Sequence, residues 1–146
     1  MNGESTVLVV EDNPDDAELI AYAFHKLHIG NPLVVVGDGD AAVDYLGGTG
    51  AYGDRLRHPL PGLILLDLKL PRRSGFEVLR FLRGQEATRN TPVVVLTSSS
   101  QREDIRRAYD DGANSYLVKP VGRDSLLAMV RALELYWMNL NEADTW

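Results

Sequence analysis

The chain has 146 residues, 45% hydrophobic and 25% charged, which is about one domain's worth with enough apolar material for a core and no compositional bias toward disorder. It has no cysteine, which excludes disulfides, thiolate metal sites and cysteine nucleophiles and fits a reducing cytoplasm. A formal net charge of -6 argues against a nucleic-acid partner, and neither a basic leader at Met1–Glu4 nor an apolar run of ~20 residues points to a membrane.

Taken in chain order, apolar β-branched runs alternate with helical patterns. Thr6 to Val10 reads as the first strand. Asn13 then stands as an N-cap with Pro14 at the first helical position, and Ala17, Ile20, Ala21, Phe24 and Leu27 mark one helical face. Leu33 to Val36 is the second strand, and Asp40 to Leu46 a short second helix broken at Gly47-Gly48. A long connection leads to the third strand, Leu63 to Leu66. Ser74 and Glu77 have capping-box spacing and open a third helix that turns Phe76, Leu79 and Leu82 inward. Val93 to Leu96 is the fourth strand, after which Ser100 and Glu103 repeat the capping spacing ahead of a fourth helix carrying Ile105, Ala108 and Tyr109. That helix stops near Gly112, where glycine tolerates a positive φ. Ser115 to Val118 is the fifth strand, and the last helix, from about Asp124, carries Leu126, Met129, Val130, Leu133, Trp137 and Leu140 on one side and runs past Met138.

Five β–α units whose strands are apolar nearly throughout imply a parallel sheet covered by helices on both faces, a doubly wound α/β fold of flavodoxin-like strand order 2-1-3-4-5. One domain over 1–146 is expected, with a core at about 6–135, an extended loop at 47–62 and a helical extension at about 136–146. In such sheets the ligand crevice lies outside the carboxyl ends of the strands. The residues there are Glu11 and Asp12, Asp67, Thr97 and Lys119. Three carboxylates converging in one crevice repel one another unless a divalent cation offsets the repulsion, and an oxygen-only donor set suits Mg²⁺. A metal-neutralised aspartate can act as nucleophile toward phosphorus, with the Lys119 ammonium and Thr97 hydroxyl available to phosphoryl oxygens.

Each of these residues also has an ordinary structural explanation. Acids favour helix starts, as at Glu11 and Asp12; Asp67 fits turn chemistry; Thr97 opens a Thr-Ser-Ser-Ser run suited to capping; Lys119 before Pro120 fits a solvated turn. Their coincidence at one sheet edge favours the chemical reading. An aspartate-nucleophile phosphatase of the usual pattern has a second acid two residues after the nucleophile, where this chain has Lys69. A nucleotide or flavin module of this fold wants a glycine- or hydroxyl-rich loop after the first strand, and Glu11-Asp12 instead repels anions. An interaction module that does not turn over phosphate stays open as the alternative.

Val-Val-Glu-Asp-Asn at 9–13, Leu-Leu-Asp-Leu at 65–68, Leu-Thr-Ser at 96–98 and Tyr-Leu-Val-Lys-Pro at 116–120, in that order, resemble the response-regulator receiver domains over roughly residues 6–135. The resemblance implies a phosphoacceptor at Asp67 and a signalling protein that promotes only its own phosphorylation and dephosphorylation. It further implies Mg²⁺ held by Glu11, Asp12, Asp67 and the main-chain carbonyl of Lys69, phosphoryl contacts from Thr97 and Lys119, and a cis peptide before Pro120. A switch follows, in which Thr97 moves inward and Tyr116 turns from exposed to buried. The long Gly47–Gly62 connection and a final helix with Tyr136, Trp137 and Trp146 look like the small receivers associated with bacterial phytochrome histidine kinases. That likeness implies such a kinase as partner, although the connection reads equally as a surface insertion. The aromatic final helix, with the fourth helix and fifth strand, is expected to form a homodimer interface. Lys69 departs from the asparagine common in that subgroup, and is expected either to influence the lifetime of the aspartyl phosphate or to be solvated without a kinetic role.

Overall fold

The computed structural model describes residues 5–120 and 122–140; Trp146 and the side chain of Leu140 lie outside what it describes. Strands β1 (Val7–Val10), β2 (Leu33–Val36), β3 (Leu63–Leu66), β4 (Val93–Thr97) and β5 (Ser115–Val118) pair in parallel in the order β2-β1-β3-β4-β5. This is the expected flavodoxin-like order.

The pleat divides each central strand between two cores, since successive side chains point to opposite faces. Leu8, Val10, Ile64, Leu66, Val93 and Val95 pack on one face with helices α2 (Gly39–Gly47), α3 (Gly75–Arg83) and α4 (Arg102–Asp110), through Tyr45, Leu79, Leu82 and Ala108 among others. Val7, Val9, Leu63, Leu65, Val94 and Leu96 pack on the other with α1 (Pro14–Lys26) and α5 (Arg123–Leu133), through Ile20, Phe24, Leu126 and Val130. Burial on both sides is why these strands read as unbroken apolar runs.

The helix ends follow local chemistry, with instructive exceptions. Asn13 caps α1 as expected, its side chain accepting from the N–H groups of Asp15 and Asp16. The inward face of α1 runs through Ile20, Ala23 and Phe24; Ala21, placed on that face from sequence, is exposed. Ser74 caps α3 by accepting from Glu77 N–H at 3.3 Å. The repeat of that device at Ser100 does not form: α4 starts at Arg102 after Gln101, which gives no side-chain cap, and Ser99 donates instead to Asp104 at 2.6 Å. An acid one turn into the helix captures the preceding hydroxyl. Tyr109, expected beside Ala108, is exposed. Beyond α5 the chain continues as a wider π-helical stretch, Glu134–Leu140.

The long connection after α2 is tied back to the end of that helix. The Arg55 guanidinium donates to Tyr45 O at 2.7 Å, Leu46 O at 2.9 Å and His58 O at 3.2 Å, satisfying carbonyls that the end of α2 leaves open. The buried Tyr45 donates its hydroxyl to Pro59 O at 2.8 Å, and its ring meets Tyr52 and His58. The Lys119–Pro120 bond, expected cis, is trans, because no cis peptide occurs among the described residues. Trans is the default for X-Pro bonds by about 0.5–1 kcal/mol.

Candidate functional site

Ladder pairing that extends past the strand ends fixes the backbone of the site. Glu11 N–H donates to Val36 O at 3.0 Å, Asp67 N–H to Val10 O at 3.1 Å and Lys119 N–H to Thr97 O at 2.7 Å. Three chain segments far apart in sequence are thereby brought to one edge of the sheet. Beneath Asp67 the start of α3 approaches so closely that a Cβ on Gly75 would lie 2.2 Å from Asp67 O. Gly75 N–H donates to Leu68 O at 2.9 Å, so this glycine is what lets α3 brace the turn carrying Asp67.

Glu11, Asp12 and Asp67 each offer a carboxylate oxygen, and the three oxygens lie within 4.8 Å of one another. Glu11 and Asp67 are buried, and Asp12 is exposed at the rim. Asp67 Oδ1 accepts from Leu68 N–H at 2.7 Å, with Lys69 N–H at 3.4 Å; Glu11 Oε2 accepts from Asn13 N–H at 3.1 Å. Lys119 Nζ lies 2.5 Å from Glu11 Oε1, 2.9 Å from Asp16 Oδ2 and 3.2 Å from Asp67 Oδ2.

Burial pushes the Glu11 carboxyl above the usual carboxylate range, outweighing its hydrogen bonds with Lys119 and the Asn13 N–H. For Lys119, burial works against the charge, but the hydrogen bonds to Glu11 and Asp16 and the Asp67 charge outweigh it and hold the ammonium above the usual lysine range. The two directions agree physically, because one ammonium is shared among three carboxylates and neutralises none fully. Glu11, Asp12, Asp16 and Asp67 against one lysine leave the cluster negative, and the donors are all oxygen. Such a set fits a hard divalent cation.

Not every expected residue joins the cluster. Thr97 is fully buried at the end of β4, its hydroxyl 3.5 Å from the Ser99 N–H. Tyr116 is half-buried, and its hydroxyl donates to Ser99 O at 2.8 Å. Pro120 lines a neighbouring cavity. The Lys69 ammonium turns away to the Asp104 carboxylate at 3.4 Å, with its side chain 64% exposed. Sequence reading missed Asp16, Asp104 and Gly75. The Ser-Gly pair at the start of α3 was a usable signal for Gly75; both acids passed as ordinary residues of a helix's first turn.

The description Response regulator receiver domain matches residues 7–131. The probable methanogenesis regulatory protein FilR2 of Methanothrix harundinacea is 41% identical over 137 residues, covering 94% of this chain and 86% of its own. Response regulator Rcp1 of a Synechocystis species is 35% identical over 137 residues, covering 94% and 91%. The Mn²⁺-bound form of Rcp1 superposes with a TM-score of 0.87 at 33% identity over 97% of this chain and 99% of that one. The phosphorylated cyanobacterial phytochrome response regulator RcpA superposes with a TM-score of 0.90 at 33% identity, again over 97% and 99%.

Proposed function

The chain belongs to the response regulator receiver domain family, and from that premise we propose that it accepts a phosphoryl group on Asp67 from a sensor histidine kinase of phytochrome type and signals through a phosphorylation-dependent change of surface. The meeting of Lys119 with the carboxylate cluster at the buried Asp67 carries the reading. An Asp67 oxygen forms a bond to phosphorus as the bond from phosphorus to the kinase's histidine nitrogen breaks, leaving an acyl phosphate. Phosphoryl transfer asks a protein chiefly for positioning and charge stabilisation, and the Lys119 ammonium and Thr97 hydroxyl are the groups available for it. A divalent cation held by Glu11, Asp12, Asp67 and the Lys69 carbonyl would supply neutralising charge to the transferred oxygens, and Mg²⁺ is our choice for it. Rcp1 has a Mn²⁺-bound form, which supports a cation of this kind. RcpA is a cyanobacterial phytochrome response regulator, which supports the phytochrome pairing.

The output is a population shift. The new dianion gives Thr97 a partner present only in the phosphorylated state, and inward movement of Thr97 frees Tyr116 to exchange its Ser99 bond for a buried position. We place the protein in the cytoplasm, with the receiver core at about 6–135 and output through protein contacts, including a homodimer through α4, β5 and α5. No helix among the described residues is long and apolar enough to cross a membrane.

Intact-protein mass after incubation with Mg²⁺ and acetyl phosphate tests this reading. One phosphoryl adduct is expected on wild type, labile to hydroxylamine, absent without Mg²⁺ and absent in Asp67→Asn. A folded wild type that binds Mg²⁺ and gains no adduct would return the protein to the class of interaction modules.

A further inference from the structure

An ammonium has three N–H donors, and those of Lys119 face three carboxylates: Glu11, Asp16 and Asp67. Glu11 and Asp67 belong with Asp12 to the cluster of oxygens able to hold a cation; Asp16 does not. It reaches Lys119 from the first turn of α1, where the Asn13 cap fixes the backbone by accepting from Asp16 N–H at 3.2 Å. Any acid there gains from the helix's N-terminal partial charge, but that alone does not require contact with a lysine 103 residues away. Asp16 and Lys119 also share the wall of a cavity of about 130 Å³ with Leu19, Ile20, Leu96 and Leu126, so the lysine stem has free space on this side.

A cation entering the cluster competes with the ammonium for the same two carboxylates. Where the ammonium goes then decides how costly the exchange is and whether the charge stays near Asp67. We propose that Asp16 is a positioning residue for Lys119: it retains the ammonium at the edge of the site while Glu11 and Asp67 are given over to the cation. Without it, Lys119 has the two cluster carboxylates as partners among the described residues, and the cation must strip a part-buried ammonium of both.

This inference rests on the reading of the cluster as a cation site, but not on phosphoryl transfer. Its test is therefore Mg²⁺ binding by calorimetry with no phosphodonor present. Asp16→Ala is expected to weaken Mg²⁺ binding about fivefold, a size usual for coupling between residues in one ion-pair network. Asp16→Glu should restore most of that affinity. Lys119→Met, which keeps a stem to fill the cavity, should bind Mg²⁺ more tightly than wild type, and in that background Asp16→Ala should shift the affinity less than about twofold. Lys119→Gln serves as the second background, and circular dichroism checks the fold of each variant. Equal weakening with and without the lysine would overturn the proposal, since Asp16 would then act only as a through-space charge. No weakening in Asp16→Ala would also overturn it. A wild type that does not bind Mg²⁺ would sink both this inference and the metal reading above, whereas a missing phosphoryl adduct alone would touch only the proposed phosphoryl transfer.

Discussion

At the scale of single residues, Lys69 shows how one side chain can be committed elsewhere at the entrance of a site. Its ammonium pairs with Asp104, whose carboxyl is held below the usual range by the Ser99 hydrogen bond and then by the Lys69 charge. The four-carbon stem still stands two residues from Asp67, whose Oδ1 lies 3.4 Å from the Lys69 main-chain nitrogen. Lys69→Asn shortens this stem and leaves Asp104 without its cation. It is expected to speed dephosphorylation by roughly three- to tenfold, on the order of 1 kcal/mol of activation free energy. Loss of adduct followed by mass after removal of the donor checks this; an unchanged lifetime would assign Lys69 to solvent. The five candidate residues were legible as a group because the strands end at or just before them. Their partners were not, because Asp16 and Asp104 lie in first turns where acids are common for electrostatic reasons that need no tertiary contact. Ion pairs across the fold leave no trace in linear spacing.

At the scale of elements, strand periods and glycine stops were read with near-residue accuracy, whereas caps and helix faces were read less well. Gly112 takes a φ of 110° just past the end of α4, as its place in the sequence suggested. The reason it cannot easily be replaced is not local, since a Cβ would lie 2.9 Å from Arg83 Cγ. Arg83, at the last turn of α3, donates to Gly112 O at 2.8 and 3.0 Å, to Thr91 O at 2.7 Å and to Asn114 Oδ1 at 2.8 Å. Asn114 Oδ1 also accepts from Val93 N–H, so one guanidinium ties α3 to the entries of β4 and β5. Nothing in a helical pattern distinguishes this arginine from a solvated one. Arg83→Ala strips these acceptors of a charged donor and should cost about 3 kcal/mol of stability. Arg83→Lys should recover only part of it, because an ammonium cannot span the same fork of acceptors. Urea unfolding at an unchanged denaturant slope measures both; a loss under about 1 kcal/mol for Arg83→Ala would show that water replaces the guanidinium.

At the scale of the whole molecule, the sheet edge that ends the fold is one of the places where large apolar side chains are left uncovered, with Tyr22, Val35, Leu56 and Leu60 exposed elsewhere. Val118, Leu135 and Tyr136 are exposed there, and Tyr109 is exposed on α4. Between β5 and α5 lies a hollow of about 360 Å³ lined by Leu117, Met129, Tyr136 and Trp137. Tyr136 and Trp137 stack edge to face at 5.0 Å, so the rim of the hollow is a pair of rings. A hollow rimmed by two aromatic rings at one edge of a sheet, in a chain of net charge -6, is a surface suited to a specific cover. A second copy meets the requirement by symmetry, presenting the same hollow and rings in return. Tyr116 lies on β5 on the face opposite the hollow, with its hydroxyl on the loop before α4, so a phosphorylation-dependent turn of that ring would alter the α4 side of the same sheet edge. The homodimer is therefore expected to tighten on phosphorylation. Light scattering should give twice the 16.2 kDa protomer mass, reached at lower concentration with the adduct than without it. Tyr136→Asp should shift the equilibrium to monomer while leaving Asp67 phosphorylation intact, because it places a charge in the contact and nowhere near the carboxylate cluster. A monomer at high concentration both before and after phosphorylation would rule out the second copy and leave this edge to a different protein.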